Sequence, residues 1–194
     1  DVGSGKTIVA TIAMVATALT GKQAALMVPT EILAEQHMLT FEKLIQGTPL
    51  KAVLLTGSMN RSQKKRKELL AQIESGEANL IIGTHALFQQ DVNFKELAFV
   101  VIDEQHRFGV QQRQALAGKG AGVNVLQMTA TPIPRTLAIT AFGEMDTSIL
   151  SEIPRGRQPI KTSWVREQEM EQIFNFVERQ IQEGRQAYMI SPLI

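Results

Sequence analysis

Residues 1–7, Asp-Val-Gly-Ser-Gly-Lys-Thr, lead directly into an apolar stretch, Ile8 to Leu19, with the periodicity of a helix. Small residues at Gly3, Ser4 and Gly5 let the backbone curl tightly with its N–H groups turned inward. The helix that follows presents the positive end of its dipole at the same place, so the turn is suited to holding phosphate groups. Lys6 adds a charge for the β- and γ-phosphates of a nucleotide, and Thr7 adds a hydroxyl for Mg2+. The string matches the loop GxxxxGK[ST] from its second residue onward, with the first glycine falling just before Asp1. Such a loop follows a buried strand, and the final residues QAYMISPLI read as a strand opening a further α/β unit. The chain is therefore expected to be a piece of a longer protein. The competing explanation for this motif alone is a glycine-rich turn that merely starts a helix.

Beyond the loop, short apolar runs alternate with helical periodicity, the pattern of a parallel sheet covered on both faces. Strands are predicted at 24–28, 52–55, 80–82, 99–102 and 123–128, and helices at 6–19, 31–45, 62–74 and 135–142. Thr30 is placed to cap the second helix, which should stop near Gly47. The stretch EIPRGRQ, 152–158, combines proline, glycine and two arginines ahead of a new alternation, a strand at 160–165 and a helix at 167–183. A first domain over 1–152 and the start of a second over 153–194 follow.

The strand Phe99 to Ile102 ends in Asp103-Glu104, and Lys6 and Asp103 are 97 positions apart. In a parallel sheet this strand delivers Asp103 to the same edge as the phosphate loop, where its carboxylate can hold the Mg2+ shell. Glu104 would then position or deprotonate an attacking water. Alone, two acids after a strand are more often a solvated cap. Combined with the loop they indicate hydrolysis of Mg-ATP, with Lys6, Asp103 and Glu104 as catalytic candidates and Gly3, Ser4, Gly5, Lys6 and Thr7 holding the nucleotide.

Bulk composition narrows the rest. A formal net charge of +1 offers no global attraction to nucleic acid, so any contact must be local. The absence of cysteine excludes disulfides and thiolate metal sites and fits a cytoplasmic setting. The longest apolar run is too short to cross a bilayer. The three histidines lack metal-ligand spacing, so no zinc is expected, and His37 reads as an ordinary histidine in mid-helix. The basic run Arg61, Lys64, Lys65, Arg66 and Lys67 could follow a nucleic-acid backbone, although a solvated helix face explains it better. Phe108 and Arg135 permit either a packing or a functional role.

Several strings carry a more specific resemblance. DEQH at 103–106 and Thr129-Ala130-Thr131 look like motifs II and III of superfamily 2 helicases. Pro29-Thr30-Glu31 and Gly83-Thr84-His85 look like DNA-contact loops of the same motor domain. The longer strings PTEILAEQH, LLTGS, IGTHAL, DEQHRFGVQQR and TATPIPRTLA are similar to the RecG family of branch-migration helicases, over essentially the whole chain. The transcription-repair coupling factors share several of them but usually carry DEEH, and Gln105 favours the RecG family over that alternative. The resemblance implies a RecA-like P-loop NTPase domain followed by the start of a second one, using ATP and Mg2+ as a monomer to drive branched DNA in recombination and repair. It also implies sequence-independent backbone contacts from Thr30, Gly57, Thr84 and His85. Gln105 and His106 would couple the nucleotide to Thr129 and Thr131. A small-molecule kinase or transporter ATPase would show no DNA stimulation, and a pure binding module would be indifferent to Lys6→Ala. An arginine from the second domain and the adenine-recognition segment would lie outside this chain, so the piece by itself is expected to turn over little or no ATP.

Overall fold

A computed structural model describes residues 4–57, 63–103, 119, 122–130, 146–150 and 160–191. The first elements are α1 (Lys6–Leu19), β1 (Gln23–Met27), α2 (Glu31–Leu44), β2 (Ala52–Leu55), α3 (Gln63–Ser75) and β3 (Leu80–Gly83). A 3-10 turn (His85–Phe88), β4 (Leu97–Ile102) and β5 (Asn124–Gln127) follow, then a second 3-10 turn (Glu167–Glu169) and α4 (Met170–Gln182). The predicted helix at 135–142 lies outside the described residues, as does the proposed boundary at 152–158. The chain divides into two compact units, Asp1–Pro154 and Arg155–Ile194.

In the first unit the five strands form one sheet in the order β2-β3-β1-β4-β5, every neighbouring pair parallel. The pleat sends alternate residues to opposite faces, and the core divides accordingly. Ala25, Met27, Leu55, Ile81, Val100 and Ile102 join Ile73 of α3 on one face. Ala24, Leu26, Ile82 and Val101 join Ala10 and Met14 of α1 and Ala34 and Phe41 of α2 on the other. Covered on both sides, β1 and β3 are buried at every residue, which is why they read as unbroken apolar runs rather than alternating ones. Helices and strands of this unit agree with the sequence expectations to within two residues at each end wherever both are described.

The strand begins one residue earlier than its apolar run because Gln23 is buried and fully bonded. Its amide donates to the carbonyls of Ile73 and Ala78, both at 2.8 Å, and accepts from the Glu96 N–H at 3.0 Å. It therefore joins the end of α3 to the approaches of β3 and β4. Arg66 departs from the solvated face expected for its basic run: it makes a two-pronged pair with Asp91 and donates to Gln89 Oε1 at 2.6 Å. Lys64, Lys65 and Lys67 are exposed.

In the second unit the strands predicted at 160–165 and 186–194 are not formed over the residues described, which carry no ladder. Extended backbone becomes a strand only where a neighbour accepts its hydrogen bonds. Among the described residues none is paired with these segments. The helix between them forms, but none of its residues is buried.

Candidate nucleotide and nucleic-acid site

All five strands run the same way, so the loops that follow them emerge on one edge of the sheet, where ligands of open α/β folds bind. Gly5 caps α1 with φ 90°, a left-handed conformation that explains the glycine, and its carbonyl accepts from Ile8 N at 3.1 Å. An α-helix leaves its first N–H groups without partners inside the helix, and α1 has neither a side-chain cap nor an acidic residue in its first turn. Its positive end is thus matched to an anion. The Lys6 ammonium bends back to Ser4 Oγ at 3.1 Å, holding its charge over the loop, and Thr7 is exposed. Gly3 lies outside the described residues.

Asp103 stands directly after β4, its N–H bonded to the Met27 carbonyl at 2.9 Å, so the ladder holds its backbone at the sheet edge. Met128 N donates to Ile102 O at 2.8 Å, extending the β5 ladder and bringing half-buried Thr129 to the same edge. Glu104, Gln105, His106 and Thr131 lie outside the described residues. Among the described residues no three His, Asp or Glu side chains gather to hold a metal. A cation here would take one carboxylate, the Thr7 hydroxyl and phosphate oxygens, a set that fits Mg2+, which prefers few protein ligands and keeps its waters.

The loops after β1, β2 and β3 meet beside this region. A Cβ on Gly57 would lie 3.5 Å from Glu31 Oε1 and 3.8 Å from His85 Nε2. Thr30 caps α2, its hydroxyl accepting from Leu33 N at 3.3 Å. Thr30, Gly57 and His85 are therefore brought together on one surface. Thr84 is not on it: the residue is 2% exposed and its hydroxyl is buried without a hydrogen-bond partner. The Thr84 side chain expected to grip phosphate faces inward, directly after Gly83, which has no room for a side chain against β2, and the group presented to solvent here is His85.

Two polar residues gain a position that sequence reasoning missed. His37 brings Nε2 to 3.9 Å from Asp103 Oδ2. Burial lowers its pKa below the ordinary histidine value, and the Asp103 charge opposes that only in part. The imidazole is consequently neutral at pH 7, so this contact joins a neutral ring to a carboxylate. The signal available in the sequence was the spacing Leu33, Ala34, His37, Met38, Phe41, in which one polar residue interrupts an apolar stripe. Lys119 donates to the carbonyls of Gln89 and Val92 at 2.8 and 2.7 Å. Burial lowers its pKa, with nearby Asp91 acting in the opposite direction. No local pattern announces this tie, because its partners are main-chain carbonyls some thirty residues away.

Comparison with known proteins agrees with this architecture. The family model for DEAD/DEAH box helicases matches residues 1–139. Among curated relatives, the ATP-dependent DNA helicase RecG of Streptococcus pneumoniae is 56% identical and that of Bacillus subtilis 55% identical, each over the whole of this chain. The chain spans 28% of the length of either relative. A solved structure of RecG bound to a three-way DNA junction superposes with a TM-score of 0.83 at 39% identity, covering all of this chain and 26% of that one. A DEAD box protein from the hyperthermophile Methanococcus jannaschii is similar in fold, with a TM-score of 0.56 at 23% identity over 75% of this chain and 41% of that one. The parallel sheet with its flanking helices is a RecA-like α/β fold, and the chain belongs to the DEAD/DEAH box helicase family.

Proposed function

We propose that the full-length protein is an ATP-dependent DNA helicase that translocates on branched DNA, replication forks and Holliday junctions, in recombination and repair. Residues 1–152 would be its first motor domain and 153–194 the linker and opening of the second. The observation that carries this reading is the sharing of one sheet edge by the phosphate loop, Asp103 and the meeting loops of Thr30, Gly57 and His85. The likeness to RecG, and to its complex with a three-way junction, supports branched DNA as the substrate.

On this reading Ser4, Gly5 and Gly3 wrap the phosphates, Lys6 neutralises the β- and γ-phosphates, and Thr7 with Asp103 holds Mg2+. Mg2+ supplies charge stabilisation on the transferring phosphoryl group. Glu104 orients the attacking water and accepts its proton. Gln105 and His106, through Thr129 and Thr131, pass the state of the nucleotide to the DNA side. There Thr30, Gly57 and His85 grip phosphates without reading bases, whereas Thr84, buried and with its N–H bonded to the Leu55 carbonyl, supports the loop from within. The protein would work as a monomer in the cytoplasm.

The test is ATP hydrolysis by the full-length protein without DNA, with linear duplex and with a synthetic fork, and with Lys6→Ala as control. Fork stimulation exceeding duplex stimulation, abolished by Lys6→Ala, is the expected result. Equal stimulation by any duplex would favour a translocase of the transcription-repair coupling kind. No DNA effect would overturn the proposal.

A further inference from the structure

α2 faces the sheet through Ala34 and Phe41, both fully buried, with Leu33 and Met38 partly buried beside them. His37 lies in the same stripe, its side chain 12% exposed, and an imidazole there forfeits hydration that an aliphatic residue would not. The polar group it faces is the carboxylate of Asp103, itself 17% exposed, with Nε2 to Oδ2 at 3.9 Å. A swing of the carboxylate of about 1 Å would close this gap to an ordinary hydrogen bond. The Asp103 backbone is fixed by the bond of its N–H to the Met27 carbonyl, so what orients the carboxylate is the set of groups around the side chain. The His37 ring is one of those groups.

We propose that His37 is a positioning residue for Asp103, restricting the carboxylate to orientations that hold the cation and tying it to the helix that begins at Thr30. The proposal rests on the reading of Asp103 as a Mg2+ ligand. His37 is seven residues beyond the cap, about 10.5 Å along the helix axis, with no break in the helix between them. A shift of the Thr30 end of α2 when DNA is gripped therefore moves the imidazole, and with it the permitted directions of Asp103. Outer groups that orient metal ligands act in this way, and losing one typically weakens metal affinity by about tenfold or more.

The experiment measures cation affinity directly. Mn2+ is titrated into the full-length protein in the presence of ADP, with free Mn2+ read by electron paramagnetic resonance. His37→Leu keeps the packing and removes the ring nitrogens, His37→Gln keeps an N–H at similar reach, and Asp103→Asn removes the carboxylate charge. His37→Leu is expected to weaken Mn2+ binding about tenfold, His37→Gln to recover most of that loss, and the thermal midpoint of His37→Leu to stay at or above that of the wild type. If His37→Leu fails to fold, His37→Ala takes its place. Wild-type affinity in His37→Leu together with weakened affinity in Asp103→Asn would overturn the role of His37 and leave the site intact. Unchanged affinity in Asp103→Asn would overturn the site reading itself, and this inference with it.

Discussion

Gln23 is a polar residue inside a central strand, and all three hydrogen bonds of its amide go to main-chain groups of other segments. Gln23→Leu would fit the space but strand two carbonyls and an N–H, a loss of roughly 3 kcal/mol that urea unfolding will register. Gly83 is constrained differently, since a Cβ there would meet the Leu55 carbonyl oxygen at 2.3 Å and Leu87 Cγ at 3.0 Å. Backbone cannot yield as a flexible side chain can, so Gly83→Ala should cost about 2–3 kcal/mol by the same assay. His37 gives a pH signature. Its folded pKa lies below the ordinary histidine value, about 6.5, because burial disfavours the charged ring. The unfolded chain therefore binds the proton first on acidification. Its contribution to stability is complete above pH 6.5 and is lost as pH falls toward the folded value. His37→Leu should flatten that part of the pH dependence, measured as urea midpoints between about pH 7 and 5. Of these three residues the sequence marks Gly83 only as part of the GTH string and says nothing of its close packing. The glutamine and the histidine acquire their meaning from partners far along the chain.

At the scale of elements, legibility follows the source of each element's stability. α1 and β2 were readable to the residue because their apolar patterns are strong and their contacts lie within the described sheet. The cap of α2 was equally plain, and Thr30→Ala should remove about 1 kcal/mol from that helix, seen as faster amide exchange in its first turn. The strands expected at 160–165 and 186–194 had patterns of the same quality. A pattern records which face wants burial but not whether a neighbour is there to bury it, and none of the described residues pairs with them. α4 has 13 residues and no buried one, a length at which an isolated helix is marginal in water. In the 194-residue chain its amides, and those of 160–165 and 186–191, should exchange far faster than those of β1 and β4. Protection in α4 comparable to β1 would contradict this account.

For the whole molecule, one edge of the sheet collects the loops that matter, and this was implicit in the alternation of strand and helix, since parallel strands must all end on the same side. The inward turn of Thr84 was not implicit, because the GTH string does not say which of its side chains is buried. The chain spans 28% of its RecG relatives, and a stabilising arginine on the transferring phosphoryl group is worth on the order of 10³-fold or more in related chemistry. On the proposed function, the 194-residue chain alone is therefore expected to hydrolyse ATP at well under a hundredth of the rate that a fork would elicit from the full-length protein.

The strand order has a consequence for the birth of this protein. β1 is the middle strand, yet its two neighbours are β3 and β4, so Gln23 to Met27 finds its second partner only after Ile102 has been made. At a synthesis rate of about 5–20 residues per second, that delay is roughly 4–16 s. Throughout it the wholly apolar run Ala24 to Val28 is held without the strand that will cover its other side. Pairings between such distant segments also form slowly once the chain is complete. The interval before β4 emerges is when a nascent chain of this design most needs a chaperone, and slowing synthesis between β1 and β4 should increase its loss to aggregation.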